Sequence, residues 1–174
     1  MISQPISSNR LTLRAFTLND APLVAKLAGD KRVSMTTLNI PHPYSLPAAQ
    51  EWISSLAGQD SQRKNLVLAV EKITTGELIG AVSLVNIEGN KAEIGYWIGH
   101  PYWGNGYCTQ AVKCLLEFAQ TSLGINHFYA EHLATNPASG KVMTKNGMRF
   151  LDSVLKNDRH GNEVQIETYE LKSG

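Results

Sequence analysis

The residues most able to do chemistry lie between positions 93 and 111, which read AEIGYWIGHPYWGNGYCTQA with the preceding alanine. An apolar run, Ile94, Tyr96, Trp97 and Ile98 around Gly95, has the character of a buried strand. It passes through His100-Pro101 into Trp103-Gly104-Asn105-Gly106-Tyr107-Cys108-Thr109. Ala111, Val112, Leu115, Leu116, Phe118 and Ala119 then recur at helical spacing. Strand, glycine-rich turn and helix start together make a phosphate cradle. Glycines let the backbone approach a ligand closely. The first helical N–H groups have no partner in the helix, and the helix dipole favours negative charge there. A diphosphate is the natural occupant. Glycines alone also fit a plain turn. The chain has no G-x-x-x-x-G-K-[ST] and no G-x-G-x-x-G with a following acidic residue, which sets aside the P-loop and the dinucleotide fold.

A second constellation follows at Asn136-Pro137-Ala138-Ser139, leading to Lys145-Asn146-Gly147-Met148-Arg149-Phe150. Asn136 falls between an expected strand and an expected helix. Its amide both donates and accepts, and it also suits a simple helix cap. Ser139 has the same dual reading, as a cap or as a hydroxyl placed to move a proton.

These groups need a scaffold. Leu11, Leu13 and Ala15 alternate with Arg10, Thr12 and Arg14, as in a half-buried first strand. Thr17 and Asp20 read as a capping box, and Leu23, Val24, Leu27 and Ala28 as a helical stripe closed by Gly29. Residues 30–44, with Pro41-His42-Pro43, are irregular. Ser45 caps a second helix with Ala49, Trp52, Ile53 and Leu56 on one face, ended by Gly58. Strands are expected at 66–72, 78–87 and 91–99, joined by tight turns. Beyond the cradle helix come a strand at 126–133, a short helix over about 139–146, and a hairpin at 150–156 and 164–172. Strands 91–99 and 126–133 are linked by a helix and should run parallel. The order predicts an α+β sandwich about one twisted sheet, with residues 1–174 as a single domain.

Together the two constellations resemble those of the GNAT N-acetyltransferases, closest to the RimJ/RimL branch that acts on ribosomal proteins. The superfamily cradle Q/R-x-x-G-x-G/A matches at Trp103, Gly106 and Cys108. Trp103 departs from Gln or Arg, although W-G-x-G-Y-A-T is common in this branch, and Cys108 replaces Gly or Ala. The opening R-L-T-L-R-x-F-T-x-x-D also resembles the branch. The resemblance implies the GNAT fold, a central twisted mixed β-sheet of about seven strands flanked by about four helices. It implies acetyl-CoA as co-substrate. The cradle would be residues Trp103, Gly104, Asn105, Gly106, Tyr107, Cys108 and Thr109. Backbone groups of Trp97, Ile98 and Gly99 would pair with the pantetheine arm where the two parallel strands splay, joined by Asn136 and Ser139.

The implied reaction is acetyl transfer to a primary amine. Glu93, where related enzymes place a catalytic carboxylate, is the expected base; His100 and His132 are weaker alternatives. A backbone N–H of Trp97 or Ile98 would face the developing oxyanion. Many GNAT enzymes protonate the thiolate with a tyrosine, but the matching position here is Met143, which leaves Ser139. His42, Tyr44 and Trp52 are candidates for the acceptor wall, although Trp52 reads more readily as core and His42 as a surface-loop residue. The favoured acceptor is a protein N-terminal amine, of a ribosomal or other protein; a small-molecule amine is the other class. A non-catalytic acetyl-CoA-binding sensor and a nucleotide-phosphate binder are the competing readings.

The 174 residues are 43% hydrophobic and 18% charged, with a net charge of +1, ordinary values that suggest neither nucleic acid nor an anionic membrane as partner. No apolar stretch approaches a membrane span, and no secretory leader is evident. Two cysteines in one segment fit a reducing cytoplasm better than a disulfide framework. The five histidines and two cysteines show no zinc spacing, so no metal is expected. A monomer or a homodimer fits equally.

Overall fold

The computed structural model describes residues 2–174. Its centre is one eight-stranded sheet, and its spatial order is β1-β2-β3-β4-β5-β6-β8-β7. The strands are β1 (Ile6–Ser7), β2 (Leu11–Ala15), β3 (Leu66–Lys72), β4 (Leu78–Glu88), β5 (Lys91–Ile98), β6 (His127–Leu133), β7 (Arg149–Asn157) and β8 (Glu163–Lys172). All neighbours are antiparallel except β5 and β6, which run parallel as the intervening helix requires.

The helices are α1 (Ala21–Ala28), α2 (Lys31–Ser34), α3 (Leu46–Ser61), α4 (Tyr107–Phe118) and α5 (Pro137–Lys145). Two cores result, one on each sheet face. Leu115, Val112 and Met143 of α4 and α5 pack on Leu13, Leu68, Val82, Ile94 and Phe128. Val24 and Ala28 of α1 and Ala49 and Ile53 of α3 pack with Ala69 and Leu78 on the opposite face.

The departures from expectation are local. A two-residue strand, β1, precedes the first expected one, which makes eight strands rather than about seven. Ala15 is exposed, since it is the last residue of β2. The irregular segment contains α2, capped by Asp30, whose side chain accepts from the Arg32 amide. Helix α3 continues through Gly58 to Ser61, because Gly58 faces open space and its lack of a side chain removes nothing from the packing. Thr17 and Asp20 do form their box, with the Thr17 amide donating to Asp20 at 2.8 Å. Burial opposes ionisation of Asp20, but the hydrogen bonds from Arg14 hold its carboxyl below the usual range.

Candidate active site

β5 and β6 are in register only over Lys91↔His127 to Ile94↔Ala130. Beyond that rung each strand keeps its other neighbour: β5 stays with β4 to Gly80↔Ile98, and β6 stays with β8 to Leu133↔Ile166. The sheet is therefore slit down its middle. The alternation of a strand's backbone groups decides what the slit exposes. Gly99 donates its N–H to Ile79 of β4 at 2.8 Å, and the Trp97 carbonyl lies against Gly80. Trp97 and Gly99 thus turn their backbone groups to β4. Tyr96 and Ile98 turn theirs to the slit, where the Ile98 carbonyl accepts from Trp103 Nε1 at 2.7 Å. Of the three backbone positions expected here, Ile98 fronts the gap and Trp97 and Gly99 do not; Tyr96 takes the place of Trp97.

The cradle lies at the end of this slit. Gly104 and Gly106 have φ of 77° and 75°, in the left-handed region where a side chain is strained. Gly106 is the N-cap of α4. Among the described residues, none of the N–H groups from Gly106 to Thr109 donates to a backbone carbonyl. Four adjacent donors at the positive end of a helix are suited to an anion.

A cleft of about 760 Å³ joins the slit and the cradle. Glu93, Trp97, Ile98, Trp103, Gly104, Gly106, Tyr107, Cys108, Thr109, Asn136 and Ser139 all line it; Gly99 and Asn105 do not. Cys108 sits deep enough that burial pushes its thiol up to about 12, so it is a neutral lining group rather than a nucleophile. Asn136 Nδ2 donates to the Thr36 carbonyl at 3.3 Å, tying the start of α5 to the loop after α2. Glu93 accepts from Asn86 Nδ2 at 2.9 Å.

Sequence reasoning missed three contributors. Tyr96 looked like one more apolar strand residue. Its phenol instead reaches across the slit to α5, 2.7 Å from Ser139 Oγ and 3.0 Å from the Ser139 carbonyl. Burial raises its pKa well above that of an ordinary tyrosine, so the phenol stays protonated. A buried phenol needs a polar partner, which was the available signal. The second is residues 36–40, which roof the cleft for which His42, Tyr44 and Trp52 were candidates. Trp52 packs in the α1/α3 core, the reading favoured for it, with Tyr44 beside it, and exposed His42 donates from Nδ1 to the Gly29 carbonyl at 2.8 Å. The third is Arg10, which braces the cradle from behind. Of the alternative histidines, His132 is buried with Nδ1 donating to the Leu133 carbonyl at 2.6 Å, and the His100 ring meets the Trp103 ring at a tilt, with centroids 4.8 Å apart.

A slit parallel pair beside a helix N-terminus with free amides meets what an acyl-coenzyme A needs. The family model for the acetyltransferase (GNAT) domain matches residues 10–149. This chain belongs to the GNAT acetyltransferases. The GNAT chain is 28% identical over 159 residues to an uncharacterized N-acetyltransferase, p20, of Bacillus licheniformis, covering 89% of this chain and 86% of that protein. It is 34% identical over 90 residues to the ribosomal-protein-serine acetyltransferase of Escherichia coli, covering 51% of this chain and 50% of that one. The solved structure of RimL, a ribosomal L7/L12 alpha-N-protein acetyltransferase in complex with coenzyme A, superposes with a TM-score of 0.87. That match has 20% identity and covers 97% of this chain and 98% of RimL. The protein is an acetyl-CoA-dependent N-acetyltransferase of the GNAT family. No helix among the described residues is long and apolar enough to cross a membrane.

Proposed function

We propose that the acceptor is the N-terminal amine of a protein, and that Glu93 and Ser139 move the protons. The observation that carries the reading is the slit between β5 and β6, with the outward backbone groups of Tyr96 and Ile98 on one side and the Ser139 hydroxyl on the other. Acetyl-CoA supplies an activated thioester. The amides of residues 106–109 would hold its diphosphate, and the backbone of Tyr96 and Ile98 would pair with its amide arm. An N–H of the same strand is the candidate donor to the oxyanion. Asn136 stands where the arm passes, its amide shared with Thr36.

Residues alternate faces along β5, so Glu93, Gly95 and Trp97 look away from α4 and α5. The amine would approach from that face. Gly95 is fixed there by the close approach of β4, since a Cβ would stand 2.7 Å from Ser83 Oγ. Glu93, which accepts from the Asn86 amide, would take the amine proton, directly or through water. Ser139 would give a hydrogen bond or relay a proton to the departing sulfur. Binding both reactants in one cleft supplies much of the acceleration.

Two facts favour a protein N-terminus over a polycation. One relative, the ribosomal-protein-serine acetyltransferase, is 34% identical over 90 residues. Glu131, the other cleft carboxylate on the acceptor side, is already paired with Lys156 at 2.6 Å. An N-terminal amine, with a pKa near 7.7–8.0, also needs less help from a single base than a lysine-like amine near 10.4. Release of coenzyme A thiol with a panel of N-terminal peptides, amino acids, polyamines and aminoglycosides tests the assignment. Turnover confined to small polyamines would overturn the acceptor; no turnover with any amine would overturn the catalytic reading.

A further inference from the structure

The cradle's peptide units must face the right way. A trans peptide points its carbonyl and the following N–H in opposite directions. A carbonyl turned into the cleft would repel a diphosphate and withdraw a donor in the same movement. The structure shows what prevents this. Arg10 Nη1 donates to the Asn105 carbonyl at 3.0 Å, across 95 residues of sequence. Its Nε donates to Gln110 Oε1 at 2.7 Å, and its guanidinium lies 4.7 Å from the Tyr107 ring centroid. Gln110 in turn donates to Ser8 Oγ at 3.1 Å and to Asn9, closing a clasp between the β1–β2 turn and the first turn of α4. Neither Arg10 nor Asn105 lines the cleft. The Asn105 carbonyl is thus held on the rear side, and the Gly106 N–H must look to the front. The side chain of Asn105 does the same for the preceding units, donating to the carbonyls of Tyr102 at 3.0 Å and Trp103 at 3.1 Å.

We propose that Arg10 is a positioning residue for the donor substrate: its fork fixes the Asn105–Gly106 peptide so that the Gly106 amide faces the diphosphate. The proposal rests on the reading that the cradle binds that diphosphate. Arg10 touches neither the thioester nor the reacting atoms. Its effect is confined to the part of the donor that the cradle grips. Lysine cannot replace it, because one ammonium cannot make the two directed bonds and stack on Tyr107 together.

The test compares acetyl-CoA with S-acetylpantetheine, a donor of the same thioester without the diphosphate. Wild type, Arg10→Lys, Arg10→Gln and Gln110→Ala are assayed with one acceptor. For both Arg10 variants, KM for acetyl-CoA should rise about tenfold or more while kcat holds. KM for S-acetylpantetheine should not change. Gln110→Ala, which unseats one arm of the fork and leaves the loop untouched, should raise KM for acetyl-CoA by a smaller factor. A general loss of structure would raise KM for both donors together and would overturn the proposal. So would full rescue by Arg10→Lys, which would mean that charge alone matters. A wild type that does not prefer acetyl-CoA to S-acetylpantetheine overturns the cradle reading itself. A wild type that does prefer it, with unchanged Arg10 variants, overturns only the role of Arg10.

Discussion

The Tyr96 hydroxyl lies 2.7 Å from the Ser139 hydroxyl, joining β5 to α5 across the slit that separates β5 from β6. The Ser139 carbonyl, 3.0 Å away, can only accept. If the phenol proton goes there, Ser139 must donate to Tyr96. If it goes to Ser139 Oγ, the serine proton is free to turn to a leaving thiolate. The second arrangement is the one that the proposed role of Ser139 requires, and the phenol can hold it because burial keeps it protonated.

Tyr96→Phe should therefore lower kcat by about tenfold and leave KM for acetyl-CoA within a factor of about two. Ser139→Ala should cost at least as much. The double variant should be no slower than Ser139→Ala alone, since the two hydroxyls act as one unit. Single-turnover rates of coenzyme A release measure this. Additive losses would separate Tyr96 from Ser139.

Glu93→Gln preserves the bond to Asn86 but cannot take a proton. The rate should fall by about a hundredfold for amines of lysine-like pKa and clearly less for N-terminal amines. Raising the pH should recover much of the loss, because more of the amine is then already neutral. The measurement is kcat/KM against pH for a matched pair of acceptors. A uniform loss at every pH would point to a packing role.

Gly140 lies one residue past Ser139, and a Cβ there would stand 2.8 Å from His132 Nε2 and 2.8 Å from the Tyr169 hydroxyl. Both neighbours belong to the sheet beneath α5, and His132 is buried. Gly140→Ala should lift α5 and destabilise the fold by about 1–3 kcal/mol. It should also loosen the contact between Ser139 and Tyr96. Denaturant melts alongside kcat report both effects.

Glu170 is buried on β8 and meets Arg149 at 2.6 Å, Lys172 at 3.2 Å and His127 at 3.3 Å. Hydrogen bonds from Arg149 and Lys172 hold its carboxyl down to about 2, against the opposing effect of burial. An unfolded glutamate titrates near 4.3. Between those values the unfolded chain binds the extra proton, so this stabilisation is complete above about pH 4.3 and disappears as the pH falls towards about 2. Glu170→Gln should flatten that part of the acid limb in thermal melts, with a lower stability already present at neutral pH.

Much of this was legible in the sequence, because the turns are written in local chemistry. Strand limits at Leu66–Lys72 and the paired hairpin β7–β8 follow from turn residues and alternation. The cradle follows from two glycines before a helical stripe. What escaped was of two kinds. Short elements, such as two-residue β1 and four-residue α2, have too few residues to establish a period. Gly58 misled because a glycine on the solvent side of a long helix is tolerated for about 1 kcal/mol. The site residues that escaped depend on pairings remote in sequence: Tyr96 with Ser139, and Arg10 with Asn105. A strand's content is readable in its own residues, but its phase against β4, which turns the backbone groups of Trp97 away from the gap, is not.

The four rungs from Lys91 to Ile94 are the whole ladder between β1–β5 and β6–β8. Above them the two wings of the sheet are zipped to nothing, and a donor molecule lying in the opening would act as the missing strand. Donor binding should therefore stiffen the two wings against each other, slow amide exchange at Tyr96 and Ile98, and set the order of events: donor first, acceptor second.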